Sequence, residues 1–227
     1  MRTCSKAATA VAVTTALAFA LPAATASAHG DPVTVRAEGR FVTPASAHPS
    51  DALTYDTRTV PVGARISVTE RVERLAGGPA TTVVLKVSGL LPGRAYGAHV
   101  HTEPCGPSPD DSGPHYQNVP DPRQPSTDPA YANPVNEVWL DFTTDARGTG
   151  AAVSRHHWRF RQGGAHAVVI HEHGTATDPG DAGTAGARAG CLTVPFESGV
   201  RGTAKWTGEP IAEQPAAPTG SPARFRG

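Results

Sequence analysis

Apolar residues in this chain recur in short alternating runs, each about as long as a β-strand and each bounded by Gly, Pro, Asp or Asn. The 24 glycines and 22 prolines make up about a fifth of the 227 residues, against an average of about 12%, which disfavours long helices. We therefore predict an all-β fold of antiparallel strands, a sandwich or barrel. The runs span residues 33–35, 52–55, 64–68, 82–87, 98–101, 138–142, 150–153 and 167–171.

The two ends of the chain differ in composition from the middle. A basic start with Arg2 and Lys6, an apolar run over 7–21 and the triplet Ala26-Ser27-Ala28 are typical of a secretory signal peptide cleaved after Ala28. The apolar run is too short to remain as a membrane span. Beyond Gly199 the chain is rich in Pro, Ala and Gly, which predicts a disordered tail. We expect a signal peptide at 1–28, an N-terminal extension at 29–50, one domain at 51–199, a tail at 200–227, and secretion without a transmembrane segment.

The net charge of the chain gives no reason to expect a polyanionic partner. Twenty basic side chains balance twenty acidic ones, and loss of the signal peptide leaves the mature chain near neutral. Neither nucleic acid nor an anionic membrane is expected as a partner on this basis. Net charge does not predict the oligomeric state.

Two cysteines remain once Cys4 leaves with the signal peptide. In an oxidising compartment, Cys105 and Cys191 are expected to form a disulfide. The alternative is a pair of buried free thiols.

Two stretches have the composition of long functional loops. Residues 102–134 carry many Pro, Asp and Ser with few aliphatic side chains, and residues 174–190 are mostly Gly, Ala, Thr and Asp. Loops of this length in a compact domain are usually functional or mobile.

Four histidines are candidate metal ligands. His99 and His101 are spaced by two in a predicted strand, so both imidazoles point to one face. His115 lies in the first long loop, and His171 ends an apolar strand. Four imidazoles without a competing thiol suit copper, and zinc suits them less well. The alternative for His99 and His101 alone is two half-exposed strand histidines.

These motifs, in this order, resemble the Cu,Zn superoxide dismutase family over about residues 51–196. The resemblance rests on G-A-H-V-H at 97–101 followed by Cys105, on G-P-H-Y-Q-N at 113–118, on V-V-I-H-E at 168–172, and on G-T-A-G-A-R-A-G-C at 183–191. It implies a Greek-key, immunoglobulin-like β-sandwich or barrel with two functional loops. It also implies copper ligands at His99, His101, His115 and His171, substrate guidance by Arg188, and a Cys105–Cys191 disulfide.

The chain departs from that family where zinc would bind. Residues 116–155 contain no histidine, so zinc is not expected, and the interval between His171 and Arg188 is short. Both features resemble the copper-only branch of the family. Without zinc, His115 needs another partner to fix its ring. Glu137 is the first candidate and Asp141 the second; the alternative is that both are ordinary surface acids.

The other histidines are expected to lie outside the site. His173 shares a face with His171 and is its only rival as a ligand. His156 and His157 lie in a basic, aromatic segment that is expected to be a solvated loop or surface strand. His29, as the mature N-terminus, is a weak alternative copper site because ordering a flexible start is costly.

The resemblance implies dismutation of superoxide, the small-molecule substrate, to dioxygen and hydrogen peroxide by a redox-cycling copper. The alternative is a non-catalytic extracytoplasmic protein that binds or buffers copper on the same fold. A third possibility is an inert domain, but such a domain would be expected to have lost ligands.

Overall fold

The computed structural model describes residues 32–49 and 51–196 and is almost entirely β-structure. Two short 3-10 helices, Pro44–Ser46 and Pro109–Ser112, interrupt the strands. The strands are β1 (Val33–Val42), β2 (Ala52–Thr54), β3 (Arg65–Leu75), β4 (Gly78–Ser88), β5 (Ala95–Tyr96), β6 (Ala98–His101), β7 (Phe142–Thr143), β8 (Gly150–His156), β9 (Ala167–His171) and β10 (Arg188–Thr193).

Eight strands form one curled sheet in the order β6-β9-β10-β2-β1-β3-β4-β8, and β5 pairs with β7 separately. All pairs are antiparallel except β1 with β2. Strands adjacent in the sheet are often distant in sequence, as Greek-key connections require. The predicted all-β class is confirmed.

One apolar core holds the curled sheet together. Val100 near one edge of the sheet and Leu85 on β4 near the other belong to the same buried cluster, together with Phe41 and Ile170. The inward positions of β3 and β4 alternate with exposed ones, so each strand contributes one apolar face. The strands at the two ends of the sheet bury their apolar faces in the same core, which explains why the sheet curls.

The N-terminal part of the fold differs from the sequence prediction. The segment 29–50, predicted as an extension, contains β1, which pairs along eight residues with β3. The folded domain therefore begins before residue 51. The predicted strand at 33–35 is extended to Val42 because small residues, Ala37 and Gly39, continue its inner face.

Other elements also differ in their bounds, since β3, β4 and β8 are longer than the predicted runs 64–68, 82–87 and 150–153. The predicted strand at 138–142 has one bridge, from Trp139 to His99, and regular pairing begins only at Phe142. The second predicted loop ends earlier than expected because Arg188 already starts β10. The predicted signal peptide, His29 and the tail from 200 onward lie outside the described residues. Within the described part of the chain, no helix is long and apolar enough to cross a membrane.

Candidate metal centre

Four histidines meet at the end of β6 and β9. One nitrogen from each of His99, His101, His115 and His171 lies within 4.8 Å of the others. Three of the side chains are buried and His115 is partly exposed. Among the described residues this is the only group of three or more His, Cys, Asp or Glu with such geometry.

The alternation of β6 explains how two ligands come from one strand. Ala98 and Val100 are part of the apolar core, which turns His99 and His101 to the opposite face. His115 reaches the same face because a backbone bridge joins it to His101. β9, the neighbour of β6, brings His171 from the other side.

Hydrogen bonds fix which nitrogen of each ring is available. His101 Nδ1 lies 2.9 Å from the Gly113 carbonyl and His171 Nδ1 lies 3.4 Å from the Gly186 carbonyl. A carbonyl only accepts, so each Nδ1 carries the hydrogen and each Nε2 offers a lone pair. The two Nε2 atoms lie 3.3 Å apart, as two ligands of one ion would.

His99 is turned the other way. Its Nε2 lies 2.7 Å from Thr175 Oγ1, while its Nδ1 is buried without a hydrogen-bond partner. A buried polar atom left without a partner costs about 1–3 kcal/mol, and a metal ion at the cluster would satisfy it. The donor set therefore fits a bound cation.

The surroundings keep the imidazoles of His99, His101 and His171 neutral. Burial, followed by the charge of His115, holds the pKa values of His99 and His101 well below their usual range. The same two causes lower the pKa of His171 to about 3. Neutral imidazole is the form that binds metal ions, so these three histidines do not have to lose protons at neutral pH.

Glu137 lies at the outer nitrogen of His115. Its Oε2 is 3.0 Å from His115 Nδ1 and accepts a hydrogen bond from Trp139 Nε1 at 2.7 Å, and its Oε1 accepts one from Gln117 Nε2 at 2.8 Å. The side chain is 2% exposed, so it is not a surface acid. Glu137, the first candidate, is thus the acid beside His115.

Asp141, the second candidate, serves a different histidine. It accepts hydrogen bonds from the backbone N–H and the hydroxyl of Thr175, both at 2.7 Å, and its Oδ1 is 3.9 Å from His99 Nε2. Thr175 therefore links His99 to Asp141. Sequence reasoning missed Thr175, because a threonine in a Gly, Ala and Thr-rich loop gives no signal.

Arg188 begins β10 opposite His171 in the strand register. Its guanidinium donates to the Pro109 carbonyl and to Ser112 Oγ, both at 3.0 Å. Exposed Asp110 lies 3.9 Å from the same nitrogen. Arg188, His115 and His171 line a half-open cleft of about 370 Å³, whose walls include Gln117, Gln124 and Thr184.

The predicted disulfide between Cys105 and Cys191 is confirmed. It attaches the first long loop to β10, where Thr193 Oγ1 also accepts from the Cys105 N–H at 3.1 Å. Tyr55 adds a hydrogen bond from its hydroxyl to the Gly106 carbonyl. The segment that holds Arg188 is thereby fixed to the sheet.

The other histidines in the described part of the chain lie outside the cluster. His173 is 66% exposed and 3.6 Å from Glu172. The expectation of a solvated segment is wrong for His156, which is buried, bonds to Ser154 at 2.8 Å and packs on Trp158. The strand period of β8 turns it inward, whereas His157 is exposed.

No protein-family model and no curated protein matches this chain. Among solved structures, it is similar to two mutants of a SOD-like protein from Bacillus subtilis. A double mutant is 16% identical, with 56% of this chain and 87% of that chain covered and a TM-score of 0.42. A single mutant is 14% identical, with 74% and 99% covered and a TM-score of 0.43.

Proposed function

We propose that His99, His101, His115 and His171 bind copper and that the protein dismutates superoxide outside the cytoplasm. The observation that carries the proposal is the convergence of four imidazole nitrogens, one of which, His99 Nδ1, is buried without a partner. A nitrogen-only ligand set suits copper.

Copper in this site would supply the redox change, oxidising one superoxide to dioxygen and reducing a second, with two protons, to hydrogen peroxide. The chain's own residues orient the ligands and receive the anion. Gly113 and Gly186 hold His101 and His171 through their Nδ1 atoms. Glu137 holds His115 in the tautomer that leaves its Nε2 free.

Arg188 is the residue proposed to attract the substrate. It lines the cleft that reaches His115 and His171, and a fixed positive charge at such an opening raises the association rate of small anions. Its bonds to Pro109 and Ser112 hold it in one place. Neighbouring Asp110 reduces its field at the cleft.

Zinc has no part in this proposal. Glu137 lies at the His115 nitrogen that would otherwise face a second metal, and it already accepts from Gln117 and Trp139. We propose that this carboxylate replaces zinc as the group that orients His115.

Arg188→Ala tests whether the site turns over or only stores copper. Copper affinity should stay unchanged, since arginine is not a ligand, while superoxide turnover should fall by at least about tenfold at low salt and by less at high salt. Arg123→Ala is the control, since Arg123 is exposed in the first long loop. A variant as fast as the wild type at every salt concentration, or a copper-loaded wild type no faster than the metal-free protein, favours the copper-buffering alternative.

A further inference from the structure

The outer side of β1, β3, β4 and β8 is a basic face. The alternation that buries one side of each strand exposes the other. Its charged side chains are two acids, Glu38 and Glu73, and six cations, Arg36, Arg40, Arg65, Arg71, Lys86 and Arg155. The face therefore carries four net positive charges.

Strand register places these cations on one continuous surface. Arg40 lies directly opposite Arg65, Arg71 lies opposite Thr82, and Thr82 lies opposite Arg155. With about 4.8 Å between strands and about 3.4 Å per residue, the cations cover a patch about 20 Å long and about 15 Å wide.

Most of these cations have no counter-charge. Arg36 pairs with Glu38 and Arg71 with Glu73. Among the described residues, Arg40, Arg65, Lys86 and Arg155 have no ion pair, and the facing pair Arg40 and Arg65 opposes like charges across two strands. Like charges in that position destabilise a sheet, so folding alone does not account for them.

The net charge of the chain is balanced in spite of this basic face, because the loops around the histidines carry the opposite charge. Residues 102–145 contain eight acidic side chains and only one Lys or Arg, Arg123. An anionic polymer attracted to the basic face is therefore not attracted to these loops, and the groove on that face shares no lining residue with the cleft.

A shallow groove crosses the basic face at the Arg40 end. It measures about 580 Å³ and is lined by Arg40, Arg65 and Lys86 together with hydroxyls from Ser67, Ser88 and Thr149. Two acids, Glu38 and Asp51, also line it, so three cations outnumber two acids there. Cations interleaved with hydroxyl groups match an anionic chain that also carries hydroxyls.

We infer that this basic face binds an acidic polysaccharide. Such a chain repeats sulfate, phosphate or carboxylate groups along a line, and the exposed Val153 and the partly exposed Val84 between the cations offer contacts for the apolar faces of sugar rings. The face has no aromatic side chain on which nucleic-acid bases stack. The net positive charge of the face disfavours binding to the same face of a second copy of the protein.

Salt-dependent binding of the full mature protein to immobilised dextran sulfate tests this inference without reference to copper. The wild type should be retained at low salt, and Arg40→Ser/Arg65→Ser should elute at clearly lower salt. The slope of log affinity against log salt should fall by about two, one for each lost contact. Arg123→Ser/Arg147→Ser removes the same charge elsewhere and should elute like the wild type.

Both double variants should remain folded, and Arg40→Ser/Arg65→Ser should have a Tm no lower than the wild type because it removes a repulsive pair. Failure of the wild type to bind, or equal elution of the two double variants, would overturn the inference. Tighter binding to double-stranded DNA or to phosphatidylglycerol vesicles than to dextran sulfate would also overturn it.

Discussion

Thr175 Oγ1 lies 2.7 Å from His99 Nε2 and donates its own hydrogen to Asp141 Oδ1, also at 2.7 Å. Because its hydrogen is used on Asp141, the hydroxyl accepts from His99, which leaves Nδ1 as the nitrogen facing the other imidazoles. A loop hydroxyl thus determines which atom of His99 is offered to a metal.

Thr175→Val should weaken copper binding by about 10–100-fold, the usual effect of removing a group that orients a ligand. Valine keeps the shape, leaves His99 Nε2 without its partner and removes the hydroxyl hydrogen bond to Asp141, which still accepts from the backbone N–H of residue 175. Copper titration and the Cu(II) EPR spectrum would measure the change. Thr175→Ser keeps the hydroxyl and should have the copper affinity and the EPR spectrum of the wild type. Thr184→Val is the control and should also behave like the wild type, because Thr184 is in the same loop but donates to the Asp181 carbonyl. Equal affinities for the two valine variants would contradict the role of Thr175.

Glu137→Gln should lower the free energy of unfolding of the metal-free protein by about 1–3 kcal/mol. The carboxylate accepts from His115, Gln117 and Trp139, whereas an amide must turn its NH₂ group towards at least one of these donors. Denaturant titration measures the loss, and superoxide turnover should fall with it. Glu103→Gln, at an exposed acid, is the matched control. If the two variants are equally stable and active, Glu137 does not orient His115.

Removing the disulfide should cost about 4 kcal/mol of unfolding free energy, because residues 86 apart are no longer linked in the unfolded chain. The measurement is guanidinium unfolding of Cys105→Ser/Cys191→Ser against the oxidised wild type. The salt dependence of turnover should also weaken, since the loop that holds Arg188 through Pro109 and Ser112 loses its attachment. An unchanged midpoint would contradict the stabilising role.

The metal-free protein should lose stability as pH falls from about 6.5 towards about 3. In the folded state the pKa of His171 is lowered from 6.5 to about 3, so across this range the unfolded chain binds the proton and the folded chain does not. Stability is therefore complete above the unfolded pKa and decreases below it, by about 1.4 kcal/mol per pH unit for each such histidine. Denaturant titrations at several pH values give the free energy of unfolding as a function of pH. The slope of that free energy against pH should be shallower for His171→Gln than for the wild type and unchanged for His157→Ala. Equal slopes for all three proteins would contradict the effect.

Local patterns were sufficient to predict β6, because Ala98 and Val100 alternate with His99 and His101. The interval without histidines after His115 directed attention to Glu137. Thr175 could not be predicted, because its contact with His99 joins residues 76 apart through an irregular loop. The basic face was hidden for a similar reason, since its cations are spread over four strands and only the register brings them together. His156 was misjudged because charged neighbours suggested exposure, although the strand period of β8 buries it.

The central claim is that four histidines hold a redox-active copper, and the most direct measurement combines metal content with superoxide decay on the mature, oxidised protein. We predict one copper per chain, no more than traces of zinc, and superoxide decay well above the rate with the same amount of metal-free protein. His101→Gln should lose both the copper and the activity, and His157→Ala should keep both. Stoichiometric zinc beside copper, or full copper occupancy without accelerated superoxide decay, would contradict the account.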